Sequence, residues 1–76
     1  MKTEDAEVGN LVRVHCLRSP QGLMAGPSHI HNRRHDARGI IISVQADGET
    51  LVWVRHGGKV APYWSSELEL LGEKTR

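Results

Sequence analysis

Three of the five histidines in this 76-residue chain lie close together, at His29, His31 and His35. A His-x-His pair places both imidazoles on one side of an extended segment, and a turn could bring the third ring to the same point. Zinc takes three or four imidazole, thiolate or carboxylate ligands in a tetrahedral array, and Asp36 or Cys16 could complete it. Neighbouring arginines oppose a dication, because like charges repel. These histidines are therefore weak metal-ligand candidates, and neither a metal nor another cofactor is predicted.

The same segment carries three arginines, Arg33, Arg34 and Arg38, although the formal net charge of the chain is only +1. A local basic patch can attract phosphates even when the total charge is near zero. Trp53 or Trp64 could add a stacking surface of the kind that single-strand binders use. Nucleic-acid binding through the basic segment is therefore one hypothesis. The alternative is that these arginines are solvated, or that they close salt bridges to Glu7, Glu67 or Glu69 of a neighbouring subunit.

Enzymatic chemistry has little support in the pattern. His15 and Cys16 are neighbours on an alternating segment and face apart, so no thiolate–imidazole pair follows. Gly57-Gly58 is typical of a hairpin turn rather than a phosphate loop, and "SSE" at residues 65–67 is typical of a helical turn or cap. No catalytic residue is assigned.

Size and composition limit the class of protein. A chain of 76 residues without phenylalanine forms one domain with a thin core, and oligomerisation is one way to increase burial. The single cysteine indicates a reducing compartment, and the acidic N-terminus lacks the apolar run of a signal peptide. The longest apolar run, "GIIISV", is much too short to span a membrane. We therefore expect a cytoplasmic protein that does not insert into a membrane.

Periodicity in steps of two predicts short strands along most of the chain. The strand segments are "VGNLVRVHC", "ARGIIISVQ", "TLVWVRH", "KVAPYW" and a last one around Leu68 to Leu70. Asp47-Gly48 and residues 56–59 are hairpin signals, and Pro62 confines the fourth strand to an edge or ends it. A single helical turn is expected at "SSELELL".

A long segment, residues 17–38, separates the first two strands and shows little periodicity. Loops of this length are usually functional or disordered. We expect residues 1–7 to form a polar arm, residues 8–71 the domain and residues 72–76 a polar tail. Five short strands with one long early loop predict an all-β fold, a small and strongly bent barrel.

The order of these parts resembles an SH3-like barrel. "VGNLVRV" is similar to the opening strand of such domains, "RGIIISV" to the strand after the long first loop, and "DGETLVWVRHGGKVAPYWSSELEL" to the remainder. The resemblance covers residues 8–71 apart from the loop. It implies a five-stranded barrel and leaves the function open, because such barrels bind many kinds of ligand.

Within that fold, the size and layout resemble the type II, trimethoprim-insensitive dihydrofolate reductases, which are homotetramers around a central active-site pore. Their Gly-Asp-x-Val-Arg opening is similar to residues 9–13, and their Val-Gln-Ile-Tyr segment is similar to residues 60–63. Only the tyrosine is retained, at Tyr63. The ligand-binding glutamine falls at Ala61, the isoleucine at Pro62 and the lysine at or beside Val14. Reductase activity is therefore not expected, and the fold and the oligomeric assembly are what the resemblance implies.

The sequence thus predicts a binding or assembly module that forms a homo-oligomer. The edge strand at residues 60–64 would provide the contact surface, and the long loop would provide recognition. Exposed aromatics of this region line the groove of SH3-like domains, so Tyr63, Trp64 and Trp53 are assigned as ligand contacts. The arginines of the long loop, Arg33, Arg34 and Arg38, are assigned as further ligand contacts. A nucleic acid or an acidic protein is the expected partner, and an oligomeric pore enzyme is the third hypothesis.

Overall fold

A computed structural model describes residues 5–46 and 50–73. Five antiparallel strands form one sheet in the order β4-β3-β2-β1-β5. The strands are β1 (Leu11–Val14), β2 (Arg38–Gln45), β3 (Leu51–His56), β4 (Lys59–Trp64) and β5 (Leu68–Gly72). A short helix, α1 (Pro27–His31), lies between β1 and β2, and a 3₁₀ turn (Ser65–Glu67) lies between β4 and β5. The predicted all-β class and the helical turn before the last strand are confirmed.

β1 joins β5 to the other three strands of the sheet. It pairs with β2 on one side and with β5 on the other. Its alternation is the predicted one: Val12 and Val14 are fully buried, whereas Leu11 is exposed. Because the side chains of a strand point alternately to the two faces of a sheet, this short segment defines an inner and an outer face.

β2 changes its alternation at a bulge. Ile41 pairs with Val54 and Ser43 with Trp53, so Ile42 is an extra residue in β2. The bulge turns Val44 toward the core beside Ile41, while Ile42 stays exposed. A bulge also bends its strand and increases the local twist, which a short sheet needs if it is to curve around a core of small aliphatic side chains.

The core lies on the inner face and contains one large aromatic residue. Tyr63 is fully buried among the aliphatic side chains of β1, β2, β3 and β5. The members are Ala6, Val12, Val14, Ile41, Val52, Val54, Ala61, Tyr63 and Leu68. On β3 the valine pair faces this core, and Trp53 between them faces outward.

The β3–β4 hairpin turns as predicted. Gly57 and Gly58 both have positive φ, 57° and 78°, the conformation that favours glycine in two-residue hairpins. Pro62 lies on β4, which is an edge strand of the sheet, in agreement with its missing backbone N–H. The predicted Asp47-Gly48 turn lies outside the described residues.

The long segment between β1 and β2 contains regular structure that the sequence analysis did not predict. α1 begins at Pro27, and proline is favoured at this first helical position because its φ is already helical. The segment returns to the sheet through two backbone hydrogen bonds, Asp36 N–H to the Val14 carbonyl and Val14 N–H to the Ala37 carbonyl. Five helical residues are too few for a periodicity to show in the sequence.

Gly39 is required where β2 passes β3. A Cβ at this position would lie 2.2 Å from the Arg55 carbonyl oxygen and 2.8 Å from Val54 Cγ1. We expect Gly39→Ala to lower the free energy of unfolding by about 3 kcal/mol or more, because backbone must move to relieve the overlap. Urea denaturation measures the loss. Gly72→Ala is the control, because nothing lies within 4 Å of its Cβ position; equal losses in the two variants would contradict this explanation.

Candidate functional site

The centre of the polar structure is a buried ion pair between the long loop and the 3₁₀ turn. Arg33 Nη2 donates to Glu67 Oε2, and the two side chains are 5% and 0% exposed. Arg33, predicted to contact a ligand, thus neutralises a carboxylate of its own chain. The predicted salt bridge to a glutamate forms within the chain rather than to a neighbouring subunit.

Glu67 also accepts two backbone hydrogen bonds. Trp64 N–H donates to Oε1 at 2.8 Å, and Arg18 N–H donates to Oε2 at 2.5 Å. The first bond is the glutamate half of a capping box at the start of the 3₁₀ turn. A carboxylate that accepts from three donors is well satisfied even when it is removed from water. Glu67 therefore connects the loop, the end of β4 and the start of β5.

Tyr63 was expected on a recognition surface and is instead fully buried. The Arg33 guanidinium lies over its ring, 5.5 Å from the ring centre. Its hydroxyl accepts from the Arg34 backbone N–H at 2.9 Å and hydrogen bonds to His56 Nε2 at 2.9 Å. Burial raises the pKa of the Tyr63 hydroxyl above its ordinary value, so the group keeps the proton that it donates.

His56 was predicted at the end of the third strand and the start of a turn, without a functional role, and it is a buried member of this network. Its pKa is lowered from the ordinary value, first by burial and then by the positive charges of Arg34 and Lys59. A neutral imidazole can accept the Tyr63 proton at Nε2, and this bond assigns the tautomer with the proton on Nδ1. Alternation along β3 places His56 on the same face as Val52 and Val54, but its hydrogen bond to Tyr63, seven residues along the chain, is evident only in the folded structure.

The two tryptophans, predicted as ligand contacts, support the loop. Trp64 Nε1–H donates to the Ser19 carbonyl at 3.3 Å, and the Arg18 guanidinium lies 5.7 Å from the ring centre. The Trp53 and His29 rings pack perpendicular to each other, with ring centres 5.3 Å apart. Both rings are half-buried, so part of each remains on the surface.

The three histidines of the long loop have separate environments. His29 lies against Trp53, His31 is exposed on α1, and His35 contacts the His15 carbonyl and Asp36. In the described ranges 5–46 and 50–73, no three His, Cys, Asp or Glu side chains form a group that could hold a metal ion.

The remaining predicted arginines, Arg34 and Arg38, are exposed. Arg38 stands opposite Arg13 on β1. Arg13 bridges Glu69, with Nε to Oε1 at 2.7 Å, and also contacts Asp36. The Arg13 hydrogen bond lowers the pKa of the Glu69 carboxyl below its ordinary value. Of the three arginines of the predicted basic patch, Arg33 is thus paired with a carboxylate, whereas Arg34 and Arg38 face solvent.

An apolar patch lies on the outer face of the sheet. Leu11 and Ile40 are direct cross-strand partners, 41% and 49% exposed, and Ile42 and Leu71 are similarly exposed. We call Leu11, Ile40, Ile42 and Leu71 the outer patch. Contiguous exposed apolar side chains, rather than single ones, indicate a contact surface.

The outward edge of β4, by contrast, is already occupied. Ser65 N–H donates to the Thr50 carbonyl, and alternation along the antiparallel pair then turns the backbone groups of residues 60, 62 and 64 outward. The Val60 carbonyl accepts from Asn32 Nδ2 at 3.1 Å, Pro62 has no N–H, and Trp64 N–H donates to Glu67. These features protect an edge strand from pairing with another chain.

Comparisons with protein-family models, with curated proteins and with solved structures find no match to this chain. None of the helices within the described residues has the length and apolar character needed to cross a membrane.

Removing the charge of Glu67 should test the buried ion pair. Glu67→Gln keeps the shape of the side chain but leaves the Arg33 guanidinium buried without its counter-charge. We expect the free energy of unfolding to fall by about 3 kcal/mol or more, as measured by urea denaturation. Glu69→Gln is the matched control. Glu69 lies two residues from Glu67, and its pair with Arg13 is partly exposed, so the effect of this substitution should be much smaller. A similar loss of unfolding free energy in Glu67→Gln and Glu69→Gln would contradict the central role of Glu67.

Lowering the pH should destabilise the protein through His56. In the unfolded chain this imidazole gains a proton near its ordinary pKa of 6.5, whereas its pKa in the folded chain is lower. The unfolded state therefore binds more protons below about pH 6.5, and the free energy of unfolding falls as the pH drops through that range. Thermal or urea denaturation at a series of pH values measures the slope.

The control for this experiment separates His56 from the exposed histidines. In His56→Gln, the free energy of unfolding should change less with pH between the ordinary and the lowered pKa of His56. In His31→Gln, where the substitution is on the surface of α1, it should change with pH as in the wild-type chain. A wild-type slope in His56→Gln would show that another group is responsible.

Proposed function

We propose that this chain is a non-enzymatic assembly module that associates with a second copy of itself through the outer patch. The observation that carries the proposal is the direct pairing of Leu11 with Ile40 on an exposed face, with Ile42 and Leu71 beside them. Burial of these side chains would add apolar contact to a domain whose own core is small.

The register of the outer patch favours a second copy as the occupant. Leu11 and Ile40 stand directly opposite each other on the neighbouring strands β1 and β2. A two-fold axis parallel to the strands and between β1 and β2 would stack Leu11 of each copy on Ile40 of the other. Such a self-complementary contact is the usual form of a homodimer interface.

The SH3-like barrel is part of the same proposal. Its support is the strand order, in which β5 returns to pair with β1, together with register shifts in β1–β5 and β2–β3 that allow the sheet to bend. A cytoplasmic location agrees with the single cysteine.

Two alternatives have less support. Nucleic-acid binding retains Arg34 and Arg38 but loses Arg33 to Glu67. A pore enzyme like the type II reductases is least supported, because Ala61 and Tyr63, which stand at the family's ligand-binding segment, are both fully buried.

Sedimentation velocity over a range of protein concentrations tests self-association. The wild-type chain should shift from monomer to dimer as the concentration rises, and Ile40→Glu should remain monomeric, because the interface would bury an unpaired carboxylate. Met24→Glu is the matched control: it adds the same charge at an 85% exposed apolar residue on the loop, away from the patch.

Circular dichroism of each variant establishes that it is folded. A wild-type chain that stays monomeric throughout, or equal behaviour of the two variants, would overturn the proposal.

A further inference from the structure

Three groups that can carry positive charge meet where the β3–β4 hairpin contacts the long loop. His56 and Lys59 stand directly opposite each other across the Gly57-Gly58 turn. The backbone of Arg34 is held beside them, because its N–H donates to the same Tyr63 hydroxyl that hydrogen bonds to His56, each at 2.9 Å, and the charges of Arg34 and Lys59 both act on His56. We call Arg34, His56 and Lys59 the hairpin cluster.

Within the part of the chain that the structure describes, no carboxylate forms an ion pair with the hairpin cluster. Arg34 and Lys59 are both exposed, and neither makes an ion pair with any residue in the described ranges. Arg13 and Arg33, in contrast, each contact a carboxylate. Glu67, whose charge acts on the neighbouring Tyr63, is already engaged by Arg33.

The pKa of His56 reflects the positive charge around it. Burial, and then the charges of Arg34 and Lys59, lower its pKa. Tyr63, the other titratable group in contact with it, stays protonated because burial raises its pKa. A bound anion would offset both cations and make the charged imidazole less unfavourable.

We propose that the hairpin cluster binds phosphate, either as the free ion or as a phosphate monoester. The Arg34 guanidinium presents paired N–H donors and the Lys59 ammonium presents a point charge, two complementary ways of binding phosphate oxygens. His56 lies beneath these two groups with its Nε2 occupied by Tyr63, so its ring senses the charge of a bound anion. The surrounding turn contains glycines, so no side chain of residues 57 and 58 obstructs access.

The test is a titration of the isotope-labelled chain with inorganic phosphate, followed by NMR at constant ionic strength, with chloride as the reference anion. The His56 ring signals are assigned by their loss in His56→Gln. Phosphate should shift these signals saturably and raise the pKa of His56, and chloride should do neither. Phosphoserine, added in the same way, distinguishes a monoester from the free ion as the preferred ligand.

Substitutions in the hairpin cluster test which residues bind the phosphate. Arg34→Gln and Lys59→Gln should each weaken phosphate binding by roughly tenfold, the loss expected for one charge-assisted hydrogen bond. Arg55→Gln is the matched control, since Arg55 is the exposed neighbour of His56 on β3 but points to the outer face. Equal shifts with phosphate and chloride, or equal weakening in all three variants, would overturn the proposal. Retained binding in Ile40→Glu would show that the site is independent of self-association.

Discussion

The arrangement of this small domain depends on one buried contact, the ion pair between Arg33 and Glu67. Removing two charges from water is costly, and further hydrogen bonds to the pair offset part of that cost. Glu67 makes such bonds by accepting from the backbone of Trp64 and Arg18 as well, whereas Arg33 Nε is buried with no hydrogen-bond partner among the described residues. Because the three donors to Glu67 come from separate parts of the chain, the pair favours one position of the long loop over others of similar apolar burial.

The same contact explains why Tyr63 and Trp64, which were predicted to contact a ligand, pack against the long loop instead. Tyr63 lies beneath the Arg33 guanidinium, and its hydroxyl joins the loop backbone to His56. Trp64 lies against Arg18 and accommodates Gly22 beside its ring. In a chain without phenylalanine, these rings supply most of the large apolar area available to hold a loop of this length. The loop and the 3₁₀ turn also cover part of the edge of β4, whereas the outer face of β1 and β2 keeps exposed apolar side chains.

The sequence predicted the sheet better than the polar network. Alternation in β1, the glycine turn after His56 and Pro62 on an edge strand follow from local rules of strand geometry, which a single segment contains. The bulge at Ile42 and helix α1 were missed, because a run of three isoleucines does not show where an extra residue stands, and five residues are too short for a helical period. Arg33 and Glu67 are far apart in the chain, and only the folded topology shows that they are partners.

Alternation along β3 separates the two surfaces on which function is proposed. Arg55 points to the outer face beside Ile40, whereas His56, the next residue and a member of the hairpin cluster, points inward to Tyr63. Neighbouring residues on a strand cannot share a face, so a dimer formed through the outer patch would leave Arg34 and Lys59 at the hairpin accessible. Two copies would then present two phosphate sites with a fixed spacing, and a ligand that carries phosphates at that spacing would bind both copies more tightly than either one alone.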